Sequence, residues 1–423
     1  MSDQLGERVN REIEAVWRIE APKLIAALTH LTNDLGSAEE LAQEALVAAL
    51  EQWPTQGVPQ KPGAWLLTTA RRRGIDQIRR RENLASKYQL IGEVLRERAQ
   101  ERELVDAVDH IEDDMLRLVF TACHPALSVE SRVALSLRVL AGLSVADIAA
   151  AFLSTESAMA ARITRAKKTL RDSKAEFEVP QGAERARRLP DVLGVIYLIF
   201  NEGYSATSGD HWMRPALCDE AIRLGRVVAQ LLPDEGEVHG LVALMQLQGS
   251  RAHARVDAKG EPVLLPDQDR GRWDRTLILL GMRSLNRAYE VSDRVGAYTL
   301  EASIAACHAQ ARHPEDTDWQ RIAGIYDLLR IAKPSPIVDL NRAVAIGKAR
   351  GPQHGLDEVE KLSANEALAD YYLLSSTRGY FLAELGRPAE AAVAYQKAAS
   401  QTSNDSEKRL LRQRAADLRE APR

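Results

Sequence analysis

Trp65, Arg72, Arg73, Arg79 and Arg80 crowd into one stretch, PGAWLLTTARRRGIDQIRRR. An indole stacks on an unpaired base and guanidiniums neutralise phosphates, so this set suits nucleic-acid capture rather than bond-making. A second basic set runs Thr155, Ser157, Ala160, Ala161, Arg162, Arg165, Lys167, Lys168. With Arg171 and Lys174 against Glu156 and Asp172, it leaves a local excess of four positive charges. Just ahead of the first basic set, AEELAQEALVAAL carries the carboxylates Glu40, Glu44 and, one residue on, Glu51, which suit a protein partner. The bland alternative is a solvated hairpin in which Arg72, Asp76 and Arg80 pair at i,i+4. No Gly-rich phosphate loop, nucleophile elbow or pair of catalytic carboxylates stands out, so no enzyme activity and no cofactor are expected. Cys123-His124 lacks a second ligand pair, and His308, His313 and His354 have no metal-ligand spacing, so no metal is expected.

These sets need helices to carry them. Ala38, Leu41, Ala42, Ala45, Leu46, Ala49 and Leu50 recur at helical spacing, leaving Glu40, Glu44, Val47 and Glu51 as an exposed stripe. In the Arg-rich stretch, Leu67, Gly74, Ile75 and Ile78 are predicted to face inward, with Trp65, Thr69, Arg72, Asp76, Arg79 and Arg80 outside. Residues 131–171 read as a helix, a turn at Ala141-Gly142, a short helix capped by Ser144 with Asp147 three residues on, and a final long helix. Ile148, Ala149, Phe152, Met159, Ile163, Ala166 and Leu170 give the spacing of a packed helix-turn-helix. In such a unit the early residues of the second helix, Thr155 to Arg162, meet base edges. Arg162 suits guanine, and Arg165, Lys167 and Lys168 suit phosphates.

Asp34, Ala38-Glu39-Glu40, Gln43-Glu44, Trp53, Trp65-Leu66, Ala70-Arg71, Asp76 and Arg79-Arg80 resemble region 2 of the extracytoplasmic-function branch of the bacterial sigma-70 family. Arg72 stands where that family usually has Asn. The helix-turn-helix is similar to region 4 of the same family. The resemblance implies that the acidic helix docks on core RNA polymerase, that the Arg-rich helix captures the promoter −10 element, and that the helix-turn-helix reads the −35 element. The intervening acidic segment, 87–112, would be a solvated linker or would thread polymerase channels otherwise occupied by nucleic acid.

Residues 1–175 exhaust a typical factor of that branch, and almost 250 residues follow. Val179-Pro180-Gln181-Gly182 and Leu189-Pro190 mark a boundary. Beyond it, LIFNEGYSAT resembles the domain that joins region 4 to a C-terminal repeat array in one subgroup. Asn201, Glu202, Tyr204, His211 and Arg214 read either as a latch onto the preceding module or as a helix end and turn centred on Gly203. Residues 255–275 look like a long loop. From about 290 the pattern is self-similar: SSTRGYFLAELGRPAEAAVAYQKAAS has Gly379, Gly386, Ala391, Tyr395 and Ala398 at the small and aromatic positions of a tetratricopeptide repeat. SPIVDLNRAVAIGKARGPQHGLDEVEKL repeats the outline, and a third unit is placed near Trp319–Ile331.

Composition alone would conceal all of this. The net charge is −4, and residues 1–175 carry 24 basic and 25 acidic side chains, so the nucleic-acid signal is local patterning. Three scattered cysteines imply no disulfide framework. The polar N-terminus and the short apolar runs imply neither signal peptide nor membrane span, hence a cytoplasmic protein. The expected architecture is all-α: 1–86 and 113–175 as two small sigma-like domains, joined by 87–112, then a connecting domain at 187–289 and TPR-like repeats at 290–420. The expected function is promoter selection for core RNA polymerase, with an intramolecular contact from the C-terminal domain. The alternative is a one-component helix-turn-helix regulator with a TPR-like sensor.

Overall fold

The computed structural model describes residues 2–85, 111–152, 154–204, 213–257, 263–402 and 405–420. They form eighteen α-helices and no β-strand among the described residues. The expected linker, 87–112, and His211 lie almost wholly or wholly outside them. The chain divides into two compact units, Met1–Gly209 with Ala216–Leu231 and Asp210–Pro215 with Leu232–Arg423, so the segment expected as one connecting domain is split between them.

In the first unit, α1 (Ser2–Thr32), α2 (Leu35–Gln56) and α3 (Pro62–Ala85) pack together around Leu24, Leu28, Leu41, Ala45, Trp53, Leu66 and Ala70. Asp34 caps α2, accepting from Ser37 N at 2.8 Å. The inward row of α3 is Leu66, Ala70 and Gly74, four residues apart, and Leu67 is half-buried beside it, one position from where its periodicity placed it. On α2 the expected inward Leu50 is 44% exposed, while Glu39 is buried. Ala38, Ala42, Ala45 and Ala49 stay inward as their spacing predicts, and Ala48 rather than Leu50 joins them, because alanines permit the closest helix approach.

Four helices build the next part of this unit: α4 (Ile111–Ala122), α5 (Val129–Val139), α6 (Val145–Ala151) and α7 (Glu156–Asp172). Ser144 and Asp147 form both arms of a capping box on α6, at 3.0 and 3.2 Å. Gly142, at φ +68°, makes the left-handed turn ahead of it. Ile148, Met159, Ile163, Ala166 and Leu170 are buried, as their spacing predicts, and Phe152 is half-buried. Cys123 is buried at the end of α4, where burial pushes its thiol up to about 11 despite a contact with Ser136 Oγ at 3.6 Å.

The boundary expected at 179–190 is narrower than its Pro residues suggest. Helix α8 (Gly182–Tyr204) starts at Gly182 and contains Pro190, whose ring forfeits one helix bond. It also runs through Asn201–Tyr204, so no turn centres on Gly203. The physical reason is an unbroken apolar face, Val192, Ile196, Ile199, Phe200 and the buried Gly203. Helices α8 and α9 (Pro215–Leu231) sit on α4 and α5. Arg188 donates to Phe120 O at 2.8 Å, Arg223 to Leu140 O at 2.7 Å, and Arg132 pairs with Asp191 at 3.2 Å.

The second unit opens with α10 (Gly236–Gly249), α11 (Arg275–Val291) and α12 (Ala297–Gln310). The loop between α10 and α11 carries 3-10 turns at Leu265–Asp267 and Arg270–Arg272. Then α13 (Trp319–Ala332), α14 (Pro336–Arg350), α15 (Pro352–Leu362), α16 (Tyr372–Glu384), α17 (Pro388–Gln401) and α18 (Asp405–Glu420) stack each on its sequence neighbours. Phe381 of α16 is the wedge. It is 1% exposed and its ring fills the space against Gly347 and Gly355 of the preceding hairpin. A Cβ at Gly355 would fall inside van der Waals distance of that ring. Gly355→Ala is therefore expected to destabilise the second unit by about 1–3 kcal/mol, read as a loss of amide-exchange protection in α14 to α16.

Candidate nucleic-acid interface

The residues singled out in sequence fall on three helices of the first unit. On α7, Thr155 is the N-cap, accepting from Ala158 N at 3.2 Å, so its hydroxyl already has a structural task. Ser157 and Ala161 are exposed, and Ala160 and Arg162 are half-buried beside them. Arg162 and Arg165 line a cleft shared with Ser128, Glu130 and Ser131 at the start of α5. Arg165 and Lys168 are exposed. A helix N-terminus that presents small and hydroxyl side chains, followed by cations one and two turns on, can enter a groove and clasp its edges.

On α3, Trp65 is not a free indole. It meets Trp53 edge-on, ring centroids 5.3 Å apart at 65°, and is half-buried. Arg72 is exposed. Arg73 donates to Glu44 O at 3.0 Å and lies 3.5 Å from its carboxylate, which joins one residue of the basic set to one of the acidic set. Arg79 and Arg80 are on the last turns of α3, where side chains are outside the described ones.

On α2 the acidic set splits. Glu40 and Gln43 are exposed, next to Val47 at 50% and Leu50 at 44% exposure, which makes a mixed acidic and apolar face. Asp34 and Glu39 instead meet the helix-turn-helix. Arg171 of α7 makes a two-pronged contact with Asp34, Nε to Oδ1 and Nη2 to Oδ2, each 3.0 Å. Glu39, 4% exposed, accepts from Arg138 Nε of α5 at 2.6 Å and is paired with Lys167 of α7. Burial alone would raise the Asp34 carboxyl, but hydrogen bonds from Arg171 and Ser37 outweigh it and hold it down at about 2. Glu39 follows the same rule: burial raises it, and the nearby Lys167 and Arg138 more than offset that, so it lies below the usual carboxylate range. Sequence spacing could not have shown this join, because its partners stand 99 and 137 residues apart.

Residues 17–83 match sigma-70 region 2, and residues 117–170 match sigma-70 region 4. These two matches are the paired regions of a sigma-70-type factor. The matched ranges are the α1–α3 group and the helix-turn-helix with its preceding helix. The protein is thus a sigma factor for transcription initiation that binds DNA through a helix-turn-helix. Residues 188–289 match a family of unknown function (DUF6596), which covers helices of both units. Over 405 residues the sigma factor is 44% identical to an uncharacterized protein of Rhizobium meliloti (strain 1021), spanning 95% of this chain and 94% of that one. Its extended architecture is therefore shared over nearly the whole length.

The residues expected as a latch lie on two segments, one of them partly outside the described residues. Asn201, Glu202 and Tyr204 lie on the last turn of α8, with Tyr204 stacked on Phe200 at 5.4 Å. Arg214 precedes α9, and His211 is outside the described residues. Among the described residues no three His, Cys, Asp or Glu side chains gather as a metal site, and no helix is long and apolar enough to cross a membrane.

Proposed function

We propose that the chain is an extracytoplasmic-function-type sigma factor that rests with region 4 folded over region 2 and opens when it engages polymerase. In this reading the exposed side of α2, Glu40, Gln43 and Glu44 with Val47 and Leu50, docks on core RNA polymerase. Trp65, Arg72, Arg73, Arg79 and Arg80 take the −10 element, and α7 takes the −35 element. The acidic linker, 87–112, follows a polymerase channel. The factor works in the cytoplasm and performs no chemistry of its own.

The observation that carries this proposal is the capture of Asp34 and Glu39 by Arg171, Arg138 and Lys167. Elements centred about 25 base pairs apart are separated by roughly 85 Å of duplex at 3.4 Å per step. A protein with regions 2 and 4 in ion-pair contact cannot read both. Lys167 cannot hold a promoter phosphate while it holds Glu39. The 25 residues between α3 and α4 could span at most roughly 85 Å fully extended, enough for the opened state. The C-terminal helical extension, with TPR-like helix pairs at 290–420, is proposed to set this balance in place of a separate inhibitor protein. The grip of α8 and α9 on region 4 supports that role.

Core-polymerase pull-down provides the test. Wild type is expected to be retained, and the double reversal Glu40→Lys, Glu44→Lys to lose retention by at least about tenfold. A wild-type chain that fails to bind polymerase would sink the reading and favour an operator-binding regulator.

A further inference from the structure

In the second unit a buried arginine has no carboxylate within ion-pair distance, although Asp316 and Glu315 act on it from farther off. Arg270 is 6% exposed, and its Nη1 donates to the carbonyls of His308 and Ala311 at 2.7 and 2.8 Å, its Nη2 to Thr317 Oγ1 at 3.1 Å. Its Nε is buried without a hydrogen-bond partner, as are Arg251 Nε, Trp273 Nε1 and His308 Nδ1. The Arg270 and Arg251 guanidiniums lie 5.1 and 5.8 Å from the centroid of the Trp273 ring. Burial, Arg251 and Arg270 push His308 down to about 4, so it adds no charge at neutral pH. A buried donor without an acceptor is costly, and of these residues only Arg270 also lines a cleft from which an outside acceptor could reach it.

Arg270 opens on a cleft of about 680 Å³ between residues 268–275 and the turn after α12. Arg275 and Arg312, both exposed, stand in its wall with Gln268 and His313. Among the described residues, none of the three arginines is ion-paired. The carboxylate in the wall, Asp269, is turned to its own backbone and accepts from Gly271 N at 2.8 Å. Asp316 nearby accepts from His313 N at 3.2 Å.

We infer that this cleft binds a small molecule with a multiply charged oxyanion head, a phosphate ester or a polycarboxylate, through Arg270, Arg275 and Arg312. Planar guanidiniums present paired donors that fit such heads, and the buried one works in a medium where the charge-assisted bond is strongest. The cleft volume lies in the range of small-ligand sites and well above that of a bare phosphate ion. Trp273 and the carbonyls of α12 hold Arg270 in place, while Arg275 and Arg312 capture the ligand from solvent. The site would give the extension an input distinct from promoter and polymerase.

Titration calorimetry of the full chain, at fixed ionic strength, tests it with inorganic phosphate, a nucleoside 5′-monophosphate and citrate. Saturable binding of the nucleotide or of citrate is expected, the stronger of the two identifying the class. Arg275→Gln with Arg312→Gln is expected to weaken it by roughly a hundredfold, about tenfold for each lost charge-assisted contact, with the unliganded melting temperature unchanged. Arg272→Gln, exposed on the same turn but outside the cleft wall, is expected to bind as wild type. Absence of saturable binding, wild-type binding in the double variant, or equal loss in Arg272→Gln would overturn the proposal.

Discussion

Glu39→Gln is expected to lower the stability of the first unit by about 2 kcal/mol and to loosen α7 from α2. Gln is nearly isosteric, so packing is kept, but Arg138 and Lys167 lose the carboxylate between them. Breaking a fully buried pair costs about 3–5 kcal/mol. These cations are 19% and 21% exposed, so water recovers part of it. Arg171→Ala removes a pair whose arginine is 60% exposed and is expected to cost about 1 kcal/mol or less. The pH dependence has a definite sign. Glu39 is depressed below its ordinary 4.5, so the stability it contributes is complete above that pH and is lost as pH falls through its lower folded value. Asp34 behaves alike between about 3.8 and about 2. Wild type should exceed Glu39→Gln clearly at pH 7 and converge on it as pH falls below the depressed folded value of Glu39. Amide exchange of α2 and α7 reads this directly; equal protection at pH 7 would mean that the ion pairs hold nothing.

The second large effect concerns sequence reading. Arg162→Ala is expected to cost about 1–3 kcal/mol at one base pair of the −35 element and to relax preference there, because a guanidinium that pairs with guanine acceptors specifies one position. Arg165→Ala and Lys168→Ala should weaken all sequences alike and lower the salt slope by roughly one each. Lys167→Ala should do the same to DNA and also loosen the Glu39 contact, a double effect no other residue of the set shares. Binding isotherms at several salt concentrations, on a panel of single-base variants, separate these outcomes. A uniform loss for Arg162→Ala would remove it from base readout.

Local rules were the legible part of the fold. The Ser144–Asp147 capping box, the buried row from Ile148 to Leu170 and the helix pairs after 335 all follow from spacing and cap chemistry, which act within a few residues. The misplaced details are those decided by tertiary contact. Leu50 lost its inward place to alanines that allow α1 and α2 to close in, and Gly203 stayed helical because the apolar face of α8 runs past it. The T-shaped contact of Trp65 with Trp53 was likewise not visible in spacing. The same limit hid the join of Asp34 and Glu39 to region 4. Arg270 was invisible for another reason: a single arginine in a Gly- and Pro-rich loop looks solvated until its depth is known.

Run-off transcription with purified core RNA polymerase, with start sites mapped, bears most directly on the claim that this is a promoter-selecting factor held shut by its own ion pairs. Transcripts are expected from a fixed start downstream of paired −35 and −10 elements, several-fold more of them with Arg171→Ala, which unlocks region 4 without touching the proposed polymerase face. No promoter-specific transcript from either protein, or less transcript from Arg171→Ala than from wild type, would contradict it.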